Sequence, residues 1–526
     1  DLFQPQSTEG PHVLKAFNLL DEPWLPVRYA DGRIAEVGLL QLFADVGQIV
    51  ALAETSPPGL IALYRVLLAI THRALAREHG EWGKSDLARW HAKGLPVEAL
   101  HAYLEHWRER FYLFHPDWPF MQVAALAEAE ETRHKSKPWT QISLASSSGN
   151  APVLFDHSVD THPSQITATQ AVRHLLGFLQ FTPGGLVKTV RDSDKAGPLA
   201  NTAAALPMGD TLARTLCLAL HPCSIEPDTD LPAWEQPAPP SLANLRAEPT
   251  LATGANDRYT RLSRAVLLLP EDDGQHISQL RFAAGCALAE DDHAPDPMAN
   301  YRMGSNGLVR LNFSEGRAIW RDLSALLPDP SGKHAKPAGV LGYAHRLLGA
   351  LGQADSWLPV MVLGLTSDQA KLVRWRVDNV ALPTCLLEQE DVVELLRAAL
   401  RDSEALFVGL RQIATSMLAE SMPDPKHKDT RARARAMFDN GASAATYFAH
   451  LERRLPALLA CLAQTGDHHT LWQAAQLHAI APAWQAACRQ LGEGARAIRA
   501  CAQHEPRYLG LIKPLLPPVT KEATHV

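Results

Sequence analysis

A few groups of side chains in this 526-residue sequence are of the types that do chemistry. Asp156-His157-Ser158-Val159-Asp160-Thr161-His162 brings carboxylates and imidazoles within a few residues of one another, the donor set of a divalent-metal site. Its spacing matches no ligand pattern and no second cluster completes it, so a polar loop accounts for it without a metal. Asp467-His468-His469 has the order of the His-Asp dyad of metal phosphohydrolases. It follows Gly466 at a turn between two helical stretches, where an aspartate caps the next helix. The sequence has no phosphate-binding loop, no nucleophile elbow and no His-Glu-x-x-His pair. Cysteines 217, 223, 286, 385, 461, 488 and 501 are scattered, with no Cys-x-x-Cys, which supports neither a zinc ribbon nor a disulfide framework.

The remaining groups are cationic and suit phosphate. Arg133-His134-Lys135-Ser136-Lys137-Pro138-Trp139 joins charge to an aromatic that could stack on a base, against the plainer reading of a solvated loop. Lys426-His427-Lys428 precedes Arg431, Arg433 and Arg435; Arg431 and Arg435 are four apart and share one face of a helix beginning there. Pro183-Gly184-Gly185, followed by Lys188 and Arg191, offers exposed backbone amides beside two cations, where glycine lets a backbone approach DNA closely. A Gly pair after a helix is otherwise its C-cap.

The elements that must position these groups can be read from pattern. Val27-Arg28-Tyr29 and Arg33-Ile34-Ala35-Glu36-Val37 flank an Asp31-Gly32 turn and form a β-hairpin. Pro57-Pro58 opens a helix through Leu60, Leu63, Val66, Leu67, Ile70 and Ala74. Further helices are expected at about 97–110 and 167–181, strands between Arg258 and Cys286 around Asp272-Asp273-Gly274, and a surface connection over Pro222–Pro249. Residues 131–166 read as irregular. After about Leu386 strand signals fade, and Val392–Ala414, Thr430–Arg454 and Thr470–Gln503 read as bundle helices, the last broken near Pro482. The length requires two or more domains. We expect a boundary near 378–390, giving residues 1–385 and 386–526.

Hydrophobic content of 46% and charged content of 20% are those of a soluble globular protein. No unbroken apolar window of membrane-spanning length occurs and the first residues show no secretion signal, so a cytoplasmic protein without membrane association is expected. A formal net charge of -7 argues against a free-standing DNA binder and for local basic patches on an acidic body within a larger assembly.

Two segments carry a more specific likeness. Phe17-Asn18-Leu19-Leu20-Asp21-Glu22-Pro23-Trp24-Leu25-Pro26-Val27 and, about ninety residues on, Phe111-Tyr112-Leu113-Phe114-His115-Pro116-Asp117-Trp118-Pro119-Phe120-Met121-Gln122 together resemble the CasA family, the large subunits of the type I-E CRISPR Cascade. Asn150–His157, Asp296-Pro297 through Tyr301-Arg302, and Ala318–Leu323 extend the resemblance. It implies an α+β fold: a large mixed α/β N-terminal domain followed by a C-terminal four-helix bundle.

It also implies a non-catalytic subunit; some relatives carry paired cysteines that hold zinc, and those positions lack cysteine here, so no metal or cofactor is expected. Its partners would be duplex target DNA, a guide RNA-containing multi-subunit complex and a helicase–nuclease effector. Such a subunit recognises the protospacer-adjacent motif, mainly from the minor groove, and begins strand opening, while guide pairing supplies sequence discrimination. By position, Gln369 in Leu365-Thr366-Ser367-Asp368-Gln369-Ala370 resembles the family's glutamine wedge; locally it reads as a solvated residue near a helix start. Gly184 and Gly185 resemble its glycine loop, with Lys188 beside them. Arg302 and Arg310 are candidates for a hairpin lysine that has no direct counterpart here, and Phe155, Asp156 and His157 align with a loop that engages the complex near the end of the guide. Arg431 and Arg435 complete the DNA-binding candidates. The competing readings are a metal-dependent nuclease or phosphohydrolase and a purely structural scaffold subunit.

Overall fold

The computed structural model describes residues 15–144, 164–185, 187–224, 226–353, 356–368 and 371–517. The chain forms two compact units, one of Asp1–Ile319, Ser331–Ala354 and Leu358–Ala381, the other of Trp320–Pro330, Asp355–Trp357 and Leu382–Val526.

The first unit is built around the helix Pro57–His79. Ser56 caps it by accepting from the Gly59 N–H at 3.3 Å, and two prolines open its first turn, where no N–H is needed. This helix is long and apolar enough to cross a membrane, yet its apolar window is buried inside the fold, so it is the core helix of this unit. It packs against Val97–His106 and Ala168–Phe181. A Cβ on Gly177 would stand 3.0 Å from the Gly59 nitrogen, so the close crossing with Ala168–Phe181 requires glycine. Two of the polar groups this helix buries find partners far along the chain. Arg65 makes a bidentate pair with Asp296 at 2.9 and 2.8 Å, and the His72 ring bonds to the Asn256 amide and the Pro222 carbonyl.

Small sheets surround this core. Strand Leu25–Tyr29 lies between Ile34–Val37 and Ile49–Leu52, with the hairpin turning at Asp31-Gly32. Arg264–Pro270 and His276–Ala284 pair antiparallel, turning at Asp272-Asp273-Gly274. The two signature segments meet directly: Ala16–Asn18 pairs with Tyr112–Phe114, Asn18 opposite Tyr112. The Asn18 amide donates to the Arg108 carbonyl, Trp24 donates to the Leu19 carbonyl, and Gln122 donates to the Leu113 and Phe120 carbonyls while accepting from Leu268 N–H. The segment Pro222–Pro249 is more than a surface connection. Trp234 is buried against Phe111 and Phe120, Glu235 pairs with Arg73, and Asp230 accepts from the Asn256 and Asp257 N–H groups at the start of the short helix Ala255–Tyr259. Composition describes its many prolines but not these few anchors.

The second unit carries long helices Glu390–Glu420, Ser443–Ala463, His468–Gln490 and Ala495–Ile512, with the shorter Lys428–Asp439 against the first. Leu410, Leu451, Leu458, Ile480 and Ala483 fill its centre. The expected break at Pro482 does not occur. Pro456, Pro482 and Pro506 all lie inside helices, where packing outweighs the lost backbone hydrogen bond, and the chain turns instead near Gly441, Gly466 and Gly492. An earlier piece of chain joins this unit: Arg321 forms a bidentate pair with Glu404 at 2.7 and 2.8 Å over the Phe448 ring, and Arg397 donates to the Pro328 carbonyl.

Candidate nucleic-acid interface

Three sequence-distant segments converge in the first unit. Strand Trp357–Asp368 pairs antiparallel with Ala204–Pro207, from Val360 opposite Pro207 to Leu363 opposite Ala204. One residue further on, a Cβ at Gly364 would fall 2.4 Å from the Thr202 carbonyl oxygen and 3.5 Å from the Phe313 ring, so the strand can enter only as glycine. Ala203 N–H donates to the Leu311 carbonyl at 2.8 Å, and Leu311 N–H to the Asn300 carbonyl at 2.7 Å. Ala203, Leu311 and Leu363 are fully buried. From this knot the chain leaves toward a glycine-bearing loop before Thr202, a short hairpin before Leu311, and the end of a long hairpin after Gly364.

The long hairpin consists of Trp357–Asp368 and Lys371–Pro383, which are neighbours in one sheet. Gln369 lies between these strands and itself falls outside the described residues. Strand on either side replaces the expected helix start. Arg376 secures the second strand, donating to the Ser314 and Arg317 carbonyls and to Asp378, which in turn accepts from Ile319 N–H.

The glycine loop is held by one buried carboxylate. Asp194 accepts from Gly285 N–H at 2.7 Å and pairs with Arg264 at 3.0 Å and with Arg191, while Arg264 also donates to the Pro183 and Lys195 carbonyls. Gly185 and Asp194 exchange backbone hydrogen bonds of 3.1 and 2.8 Å. Two expectations change accordingly. The Gly185 N–H is spent within the loop, and Arg191 is consumed by Asp194 and by the Ser193, Ala247 and Gly285 carbonyls. What remains outward is a Cβ-free surface and Lys188, exposed and without an ion pair among the described residues. Gly184 is explained inside the chain, since its Cβ would stand 3.2 Å from the Ala196 nitrogen; at Gly185 nothing lies within 4 Å. Val190 sits at φ 74°, a strained conformation for a β-branched residue that the surrounding loop must hold.

The short hairpin Tyr301–Gly304 and Gly307–Arg310 separates two candidates that the sequence left equal. Arg310 is largely buried, donating to the Pro198 carbonyl at 2.9 Å and Thr202 Oγ1 at 3.1 Å and pairing with Glu290 at 3.4 Å. Its role is to fix the hairpin to the knot. The Arg302 side chain is exposed and has no hydrogen-bond or ion-pair partner among the described residues.

In the second unit, Arg431 and Arg435 lie exposed on Lys428–Asp439, flanking the stripe that buries Ala434 and Phe438. They line a groove of about 950 Å³ together with Lys426 and Lys428. On the opposing wall Arg411 is neutralised by Asp439 at 2.8 Å. None of the four outer cations has an ion pair among the described residues.

The other sequence candidates resolve differently. Phe155, Asp156, His157, Asp160 and His162 lie outside the described residues. Asp467 caps its helix, accepting from Thr470 N–H at 3.1 Å. Trp139 is buried beside His174 and donates to Ser164, so it offers no stacking surface to the exposed Arg133, Lys135 and Lys137. Among the described residues no group of three or more His, Cys, Asp or Glu side chains is placed to hold a metal ion.

Comparison with known proteins gives this arrangement a family. Residues 18–495 match the model of CRISPR-associated protein Cse1. The CRISPR-associated protein CasA/Cse1 of Thermus thermophilus is 35% identical over 506 residues, covering 94% of this chain and 97% of that protein. The chain belongs to the Cse1 (CasA) family. A solved structure of Thermus thermophilus CasA superposes with a TM-score of 0.81 at 32% identity, covering 95% of this chain and 100% of that one. Thermobifida fusca Cse1 shares the fold at a TM-score of 0.76 and 23% identity, covering 96% and 99%. A chain of a CRISPR RNA-guided surveillance complex also shares it, at 0.73 and 24%, covering 95% and 100%.

Proposed function

We propose that this chain is the non-catalytic large subunit of a cytoplasmic, RNA-guided CRISPR surveillance complex. It recognises the protospacer-adjacent motif in duplex DNA, helps start strand opening and recruits the helicase–nuclease that degrades the target. The observation that carries this reading is the linked anchoring of the three candidate elements. The hairpin with Arg302 and the strands leading to Gln369 spring from the Thr202–Leu311–Gly364 knot, and Arg310 of that hairpin donates to the Pro198 carbonyl, just beyond the loop with Gly185 and Lys188. Loops held by a rigid base can present a small, fixed set of contacts to a duplex, and a short motif needs no more when guide pairing reads the rest. The cations of the Lys426–Arg435 groove supply sequence-independent phosphate contact.

The test is target-duplex binding by the guide-loaded remaining subunits, with and without this chain, on a permissive and a scrambled flanking motif. Tightening on the permissive flank alone supports motif reading. Equal tightening on both flanks, or none, returns the chain to a scaffold role. Gln369→Ala should slow strand opening more than it weakens initial capture.

A further inference from the structure

Lys188 stands in a loop that is fastened on both sides of it. The neck closes where Gly197 N–H donates to the Thr182 carbonyl and Leu199 N–H to the Gln180 carbonyl, both at 2.8 Å. A Cβ on Gly197 would lie 2.6 Å from the Gln180 oxygen, so the neck closes only around glycine. Before Lys188, Gly185 is bonded to Asp194; after it, the Thr189 carbonyl accepts from Ala284 N–H at 3.2 Å. The next residue, Val190, has φ 74°, and a β-branched residue leaves that region when nothing holds it there.

Arg191 follows the strained residue directly and ties it to the body of the unit. Its guanidinium forks to the Ser193, Ala247 and Gly285 carbonyls at 3.1, 2.9 and 3.2 Å and pairs with Asp194. Four acceptors spread around one planar cation suit a guanidinium and not an ammonium. Asp194 does not depend on Arg191 alone. Its side chain is fully buried, accepts from Gly285 and Lys195 N–H at 2.7 and 2.9 Å, and pairs with Arg264 at 3.0 Å. Arg264 is itself buried and holds the Pro183 and Lys195 carbonyls. The loop thus has an inner clasp, Arg264 on Asp194, that belongs to the core. Its outer clasp is Arg191, whose side chain is 18% exposed.

We infer that Arg191 is a positioning residue for motif reading: it holds the Val190 turn so that Lys188 stands in one fixed place, and makes no contact with the duplex itself. This inference rests on the proposed motif-reading role and deepens it, by naming what sets the glycine loop before DNA arrives. A cation held in place beforehand gives up little freedom on binding, whereas a released one must first be ordered, which weakens its contact. Losing the outer clasp leaves Asp194 paired with Arg264, so the core keeps its partners while the turn relaxes.

The experiment is a double-mutant cycle in the fully assembled, guide-loaded complex, on permissive and scrambled flanks. Its variants are Lys188→Ala, Arg191→Gln, the two combined, and Arg191→Lys, which keeps the charge but not the fork. Lys188→Ala and Arg191→Gln should each weaken permissive-flank binding about tenfold, and the combined variant no further, because Arg191 acts through Lys188. Arg191→Lys should behave as Arg191→Gln. Without DNA, trypsin should cut after Lys188 faster in both Arg191 variants than in wild type. Additive losses, with Arg191→Lys restoring binding, overturn the inference, because Arg191 is then a phosphate contact in its own right. Equal losses on both flanks with a lowered melting temperature overturn it too, as a merely structural role. If Arg191→Gln does not assemble, Arg191→Lys alone decides: binding as wild type overturns the inference, and loss on the permissive flank alone supports it. If wild type itself gives no flank-dependent binding, the motif-reading role fails first and the inference with it. If wild type does and Arg191→Gln matches it throughout, the inference alone fails.

Discussion

The paired signature strands and the three loops at the Thr202 knot are both parts of the first unit, but they are built in opposite ways. In the signature region the buried polar side chains bond inward: Asn18 to Arg108, Trp24 to Leu19, Gln122 to three backbone groups. At the loops, the inward bonds belong to Asp194, Arg264 and Arg310, and the groups that face outward, Lys188 and Arg302, have none among the described residues. The most recognisable residues of the family are therefore packing residues. Those that fit a ligand are recognisable mainly by what they fail to bond.

If this contrast is right, substitutions in the packed region act on stability and those at the loops act on binding. The largest effect should come from Asp296→Ala. Burial alone would raise this carboxyl, but the Arg65, Arg258 and Arg310 guanidiniums together outweigh burial and hold it down at about 2. Removing it leaves Arg65 charged and enclosed, at a cost of about 3–5 kcal/mol in urea unfolding. A loss no larger than that of an ordinary surface substitution would break the comparison. Next comes Gln122→Ala, which orphans the Leu113 and Phe120 carbonyls and the Leu268 N–H. We expect about 2–3 kcal/mol, again in unfolding, with flank discrimination unchanged at a temperature where the fold is intact.

How much of this was legible in sequence follows the same division. The core helix announced itself through Pro57-Pro58 and its apolar spacing, and the first hairpin through Asp31-Gly32, because capping and turn chemistry are local. The basic face of Arg431 and Arg435 was legible for the same reason: two residues four apart on a helix share a side whatever the tertiary structure does. The strands that lead to Gln369 were not. Leu358 to Leu365 is an almost continuous apolar run, and such a run fits a buried strand and a buried helix equally. Nor could sequence separate Arg302 from Arg310, or Lys188 from Arg191. Arg310 is captured mainly by Pro198 and Thr202 about a hundred residues back, and Arg191 by nearby Asp194 together with the distant Ala247 and Gly285 carbonyls; the distant partners leave no local mark.

The acid limb of stability sharpens the contrast with a smaller effect. Burial holds His72 and His174 down at about 4, and His221, stacked on His72 at 3.8 Å, well below its ordinary value. The unfolded chain takes up protons on these rings near pH 6.5 and the folded chain does not. Their stabilising contribution is therefore complete above that pH and is lost as pH falls toward about 4. Each ring should contribute a slope of about 1.4 kcal/mol per pH unit inside that window. Urea unfolding at pH 7, 6 and 5 measures it, and His174→Gln should make the slope shallower by one ring's share. An acid limb unchanged by that substitution would mean that His174 is protonated in the fold.

The smallest effect on stability, within about 0.5 kcal/mol, is expected from Arg431→Glu/Arg435→Glu, because neither side chain has an ion-pair partner to lose among the described residues. Their effect should be on binding instead, and should be read against salt. Each phosphate contact contributes about 0.9 to the slope of log affinity against log salt on duplex DNA, so losing both should flatten that slope by about two, equally for permissive and scrambled flanks. Arg302→Ala provides the contrast. It too should leave unfolding unchanged, but its loss of affinity should fall mainly on the permissive flank, since it sits on the knot rather than on the helical unit. If both variants weaken both flanks alike, the loops at the knot are only a second phosphate-binding surface. If only Arg302 discriminates, specificity resides in the loops and general affinity in the groove.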